Sequence, residues 1–268
     1  MKFPAMLFYL SASLILSVFV TVAAVPQLQP AAKRPEFEVA TIKPSAPLKG
    51  GSDFAGIRPL PGGQSYTAKN VPVRLVIRLM YHRSEHQLSG GPSWINTDRW
   101  DIDAKADHPA SVDELHVMFQ NLLIDRFHLQ FHYDTKEMSV YALTVDKGGS
   151  RMKVNDSPEP YDFPIKPIDR GKLAGQRCSM SYLTWFLSQI PMIDRPVVDK
   201  TSLPGFYDFT FEWTPEGPKI GGASDGGPAV EGPSLFTALR EQLGLRLEPQ
   251  KAPVQVMAID HIERPSEN

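Results

Sequence analysis

The residues best placed by type and spacing to do chemistry are His82-Arg83-Ser84-Glu85-His86. They match H-x-x-E-H, the inverted zinc-peptidase pattern. On a helix, His82 and His86 lie four residues apart on one face and could hold a metal, with Glu85 as the base that activates a bound water. Against this, the pattern falls where the preceding helix should end, and no later helix offers an obvious carboxylate ligand. Two surface histidines at a helix end is the simpler reading.

Other candidates are weaker. His128 and His132 in FHLQFHY share a strand face, but four residues of strand span about 13 Å, too far to share one small ion. They read as solvent-facing neighbours of inward Phe127, Leu129 and Phe131. Gly222-Ala223-Ser224-Asp225-Gly226 matches G-x-S-x-G, and Ser150 with Lys153 matches S-x-x-K, but neither has the strand–turn–helix or helical setting its chemistry requires. Cys178 is the single cysteine of the chain, so no internal disulfide can form, and nothing in QRCSMSY supplies a base to activate it.

The elements that would position such residues follow from periodicity. Asn70 is expected to cap a helix with Pro72 in its first turn and Val73, Val76, Ile77, Leu79 and Met80 on its apolar face. RWDIDAKA alternates as a strand with Trp100, Ile102 and Ala104 inward. Ser111 and Glu114 are spaced as a capping box for a helix burying Leu115, Phe119, Leu122 and Leu123. A hairpin is then expected from FHLQFHY and MSVYALTV, turning at Asp134 to Glu137. Near the C-terminus, Ser234 caps a helix through Leu235, Leu239 and Leu243, and Gly244 ends it. Leu245 and Leu247 point inward on a strand, Pro249 to Pro253 reads as a turn, and VQVMAIDHI as a second strand. Trp94, Trp100, Trp185 and Trp213 read mostly as core by their alternation, Trp94 being the one closest to the surface.

These elements recur. A shift of 107 residues places Val76 on Leu183, Leu79 on Phe186, Met80 on Leu187 and Asp101 on Asp208, and a shift of 120 places Leu115, Phe119 and Leu123 on Leu235, Leu239 and Leu243. The order helix, strand, helix, strand therefore occurs twice, as an internal duplication would leave it. The expectation is an α+β fold of two related halves, 36–150 and 179–268, each pairing helices with antiparallel strands, or both sharing one sheet. The proline-bearing stretch 151–178 is expected as a linker. Residues 214–233, with six glycines and four prolines, are expected as a disordered insert.

Composition narrows the function. The 268 residues carry 28 basic and 30 acidic side chains, so there is no basic excess to bind nucleic acid. Residues 1–24 pair Lys2 with an uncharged apolar run and a Val22-Ala23-Ala24 cleavage site, the pattern of a signal peptide; uncleaved, the same run would act as a membrane anchor. Residues 25–35 form a spacer.

Several long segments also carry a resemblance: FEVATIKPS, GGPSW to WDIDAKA, LLIDRFHLQFHYDTKEMSVYALTVDKGGSRMK, RPVVDKTSLPGFYDFTFEW and APVQVMAIDHIERPSEN. Together they resemble a soil-associated family of exported bacterial proteins of unknown function. That resemblance implies export and no established activity, and it brings no catalytic residues. LFTALREQLGLRLEPQKAPVQVMAI is similar to the short helix–strand–strand domains at the periplasmic N-terminus of secretins and outer-membrane receptors, which implies docking rather than catalysis.

The sequence thus leads to an exported, non-catalytic binding or interaction module. Its expected partner is a protein or envelope component, in the periplasm or outside the cell, with no cofactor and no nucleic acid. The competing readings are a metal-dependent hydrolase using His82, Glu85 and His86, and the ectodomain of a membrane-anchored sensor.

Overall fold

Two long strands form the spine of the molecule, and neither breaks where its sequence suggests a turn. The structure is a computed structural model that describes residues 34–46, 55–60, 62–158, 163–215 and 232–266. In chain order its elements are β1 (Val39–Pro44), β2 (Gly56–Pro59), β3 (Ser65–Pro72), α1 (Val73–Met80), a 3-10 turn (Glu85–Gln87), β4 (Leu88–Gly90), α2 (Trp94–Thr97), β5 (Arg99–Lys105) and α3 (Val112–Phe127). They continue with β6 (Gln130–Val145), β7 (Lys153–Val154), β8 (Ile165–Asp169), β9 (Lys172–Ser179), α4 (Met180–Leu187), β10 (Val197–Asp199), β11 (Phe206–Glu212), α5 (Leu235–Ala238) running into a π-helical turn (Leu239–Leu243), and β12 (Leu245–His261). The fold is α+β.

Three four-stranded sheets result, with orders β1-β5-β3-β2, β10-β6-β12-β4 and β7-β11-β9-β8. In the middle sheet β6 and β12 pair antiparallel along nearly their whole length, from Leu245 opposite Val145 to Ile259 opposite Phe131. The short β10 and β4 flank them, each parallel to its neighbour. One end of this ribbon supplies Met257, Ile259 and Leu129 to a core with α1, α3, β3 and β5. The other supplies Leu143, Leu245 and Leu247 to a core with α4, β9, β11 and the π-helical turn.

The expected turns at Asp134–Glu137 and Pro249–Pro253 are therefore mid-strand. Both stretches are polar because the middle of the ribbon lies between the two cores, with Thr135, Lys136, Glu137, Gln250 and Lys251 exposed. The prolines fit because of the direction their backbone faces. Gln255 presents its carbonyl away from β6, to the side chain of Gln87. By the period of two, Pro253 and Pro249 face that same outer side, where no ladder amide is required.

The local predictions fare well in the helices. Ser111 accepts the amide of Glu114 and Ser234 that of Thr237, while Gly244 ends the C-terminal helix in the left-handed region at φ 68°. Leu115, Phe119, Leu122 and Leu123 are buried, as are Trp94 and Trp100, which pack edge to face. The Asn70 cap is a correction. Pro72 precedes α1, and Asn70 instead takes a left-handed conformation (φ 51°) inside a bulge of β3, its amide bound to Asp101. Phe127 ends α3, fully buried, instead of opening a strand.

Residues 151–178, expected as a linker, contain β7, β8 and most of β9. Of the prolines that suggested a linker, Pro164 directly precedes β8 and Pro167 lies on it at the sheet edge, where proline is tolerated. Most of the expected insert, 216–231, falls outside the described residues, as does the 1–24 signal segment. Pro35–Asn268 forms one compact unit. The order β10-β6-β12-β4 interleaves strands from before and after residue 150.

The element bounds match across that interleaving. β3 and β9, α1 and α4, and β5 and β11 each begin and end 107 residues apart. In each sheet the register slips at the same place, between Ala68 and Val71 opposite β5 and between Gly175 and Cys178 opposite β11.

Candidate functional site

The H-x-x-E-H residues diverge in three directions because the helix that would align them ends too early. α1 stops at Met80; the amide of Tyr81 still reaches the carbonyl of Ile77, but His82 swings into the left-handed region at φ 49°. The 3-10 turn is then closed by the amide of Ser84, which donates to Gln87 Oε1 at 3.2 Å, and by the amide of Gln87, which donates to the Ser84 carbonyl at 3.0 Å. Glu85 is drawn back onto α1, where Arg74 Nε and Arg78 Nη1, one turn apart, each meet a carboxylate oxygen at 2.7 Å. His86 is exposed on the turn. Among the described residues no group of three or more His, Cys, Asp or Glu side chains is placed to hold a metal.

His82 joins a different constellation. Its ring lies 4.8 Å from that of Trp185 and 5.4 Å from that of His116, with Tyr182 at 6.2 Å. His116 in turn meets the hydroxyl of Tyr66 at 3.0 Å through Nε2, while its Nδ1 and the indole nitrogen of Trp185 are buried without a partner. Five rings from β3, α1's C-terminal turn, α3 and α4 thus form one seam.

Burial lowers the pKa of His116 to about 4, with the neighbouring His82 adding to the effect and Asp113 opposing it. His82 is lowered for the same first reason, with Asp113 opposing and Arg83 assisting, although part of the residue remains open to solvent. Tyr182 is pushed up to about 12 and Tyr66 well above the phenol range, both chiefly by burial. At neutral pH the seam therefore holds neutral imidazoles and protonated phenols. Its groups donate and accept hydrogen bonds without carrying charge. Cys178, buried at 0% exposure, has its thiol pushed up to about 12 and offers no thiolate.

The sequence hinted at only part of this seam. Tyr182 and Trp185 are spaced as a helical pair, but nothing in the chain marks Tyr66 or His116 as neighbours of residues so distant in sequence.

A second feature is an open cleft of about 450 Å³ beside β1, β3 and β5, lined by Ser45, Asn70, Asp98, Arg99, Trp100 and Arg264. Trp100 is almost fully buried, and its indole N–H has no partner. Arg264 bonds Asp98 at 2.9 Å and lies over the Trp94 ring. Arg99 is exposed, with no ion pair among the described residues. The exposed Arg99 guanidinium on this lining suits a ligand that presents carbonyl or carboxylate oxygens.

The remaining motifs are placed as follows. His128 is the left-handed C-cap of α3, and His132 on β6 bonds Asp260 at 2.8 Å. Ser150 accepts the amide of Met152, and Lys153 sits on β7, so neither lies on a helix. Gly222–Gly226 lies outside the described residues.

Against known families, residues 74–262 match the model described as a protein of unknown function, DUF3738. The chain belongs to the DUF3738 family. No curated protein and no solved structure matches it. In this DUF3738 chain the match runs from α1 to the end of β12, and so includes both long strands and four of the five seam rings, Tyr66 on β3 lying before it.

Proposed function

We propose that the chain is an exported, non-catalytic binding module that docks a protein or envelope component. The observation that carries this reading is the cleft: an open concave surface of about 450 Å³ with exposed Arg99 and the Arg264–Asp98 pair on its lining, which is recognition chemistry. The state of the other candidates supports it. Glu85 is committed to two arginines, and His82 and His116 are held neutral among aromatic rings. The apolar run and small-residue site of residues 1–24 support export.

The test uses the exported protein purified from its native envelope. Cross-linked partner should fall at least tenfold for Arg99→Glu and Arg264→Glu together, and an unchanged yield refutes docking at the cleft. Stoichiometric zinc lost in His82→Ala with His86→Ala would instead establish the hydrolase. Mass measurement separates a secreted chain beginning at Val25 from an anchored ectodomain.

The reading also takes the chain to be an internal duplication. The matched bounds of β3-α1-β5 and β9-α4-β11 support it, as does the shared position of the register slip. On this view each copy lends the other a strand through the middle sheet, β4 to β12 and β10 to β6. Neither 36–150 nor 179–268 should then fold alone, and mixing them should restore cooperative unfolding. Independent folding of either fragment would count against it.

A further inference from the structure

The two outer edges of the β6–β12 ribbon are built differently. On β12, the residues facing the open side include Pro249 and Pro253, which have no amide to offer an added strand. On β6, the amide of Tyr141 points outward to the carbonyl of Pro196, and the ladder with β12 keeps its register from there down to Phe131. Ser139, Glu137, Thr135, Tyr133 and Phe131 therefore also present N–H and C=O outward. β10 pairs only with Tyr141–Leu143, so among the described residues no strand covers β6 from Phe131 to Ser139. This stretch has neither proline nor glycine, and most of its residues are exposed.

Its sequence is also self-complementary. Reversed about Thr135, FHYDTKEMS sets Asp134 opposite Lys136 and Lys136 opposite Asp134. Glu137 falls opposite Tyr133, whose ring already carries the guanidinium of Arg83 at 4.9 Å. No like charges face each other, and Phe131 meets Ser139, which keeps the added strand short of β10.

We infer that the β6 edge from Phe131 to Ser139 is a self-association surface on which a second copy of the chain lays the same strand antiparallel, centred on Thr135. The two middle sheets then join into one, with a two-fold axis through Thr135. The inference does not rest on the docking function proposed above: a monomeric chain would leave that function standing, and a dimer with an idle cleft would leave this one.

The experiment is sedimentation equilibrium of the mature chain up to ~1 mM, since strand pairing alone buries less than a standard interface and gives a weak dimer. Wild type is expected to dimerise reversibly. Thr135→Pro, which removes an outward amide at an exposed edge, should be monomeric with an unchanged melting temperature. Asp134→Lys places lysines opposite each other and should weaken the dimer about tenfold or more, and adding Lys136→Asp should restore it. If Thr135→Pro does not fold, the charge-swap pair decides alone. Wild type monomeric throughout, or a dimer indifferent to the charge swap, overturns the inference.

Discussion

Asp101 and Asp208 do the same work in two different sheets. Asp101 Oδ1 accepts the amide of left-handed Asn70 at 3.0 Å and the hydroxyl of Ser45 at 2.6 Å. Asp208 Oδ1 accepts the amide of left-handed Arg177 at 2.8 Å and the side-chain amide of Asn155 at 2.8 Å. Each carboxylate pins a bulge just before a helix and ties it to an edge strand. The edge residue is anchored alike, Ser45 donating its amide to Arg99 and Asn155 donating its own to Phe206.

Removing either carboxylate strands a bulge amide. Asp101→Ala and Asp208→Ala are each expected to cost about 1–3 kcal/mol in urea denaturation, with Asn at either site costing less because one acceptor oxygen remains. Asp101 also carries a pH signature. Burial opposes its charge, but the bonds from Ser45 and Asn70 and the nearby Lys69 and Lys43 prevail and hold it below the usual carboxylate range. Its contribution is present above the ordinary carboxylate pKa and is lost as pH falls through the lowered one. That acid dependence should be smaller in Asp101→Asn.

His116 should make stability fall with acid at higher pH. Its pKa is about 4 when folded, against about 6.5 for an exposed histidine, so between these values the unfolded chain binds more protons. Stability is then complete above about pH 6.5 and declines towards pH 4, by roughly 3 kcal/mol at most. His116→Phe should flatten that part of the profile, and an unchanged urea midpoint between pH 7 and pH 4.5 in wild type would remove the seam's electrostatic basis.

Two helix ends test backbone strain. Gly244 caps the C-terminal helix at φ 68°, and a Cβ there would run into the carbonyl oxygen of Gly149. His128 caps α3 at φ 50° with a side chain exposed to solvent. Gly244→Ala should lower stability by more than about 1 kcal/mol, whereas His128→Gly relieves about 1–2 kcal/mol of left-handed strain against about 0.4–1 kcal/mol of added unfolded-chain entropy and should be neutral or stabilising. Thermal melts of the two variants should move in opposite directions.

Leu239 is fully buried where α5 becomes π-helical, in the core with β11 and Leu245. Leu239→Ala is expected to cost about 2–5 kcal/mol in denaturant melts. A loss below about 1 kcal/mol would mean that the site collapses around the missing side chain.

Much of the architecture was legible because its signals are local. The apolar stripe of α3, the serine caps at Ser111 and Ser234 and the left-handed glycine at Gly244 each depend on neighbours within a turn or two. The seam was not legible, since its five rings come from residues 66 to 185 and only Tyr182 and Trp185 share an element. The H-x-x-E-H spacing shows the same dependence on context: it presupposes a helix, and the chain turns left-handed at His82, where the sequence already placed the helix end.

The sequence by itself determined which faces are oily and how two of the helices begin, at Ser111 and Ser234. Only the tertiary structure decided that the two apparent hairpins are single strands, β6 and β12, laid against each other. The physical reason is that polar residues and prolines mark exposure and missing amides, and a turn produces both. So does a strand crossing solvent between two cores with one edge unpaired, and pairing between residues more than a hundred positions apart leaves no local trace.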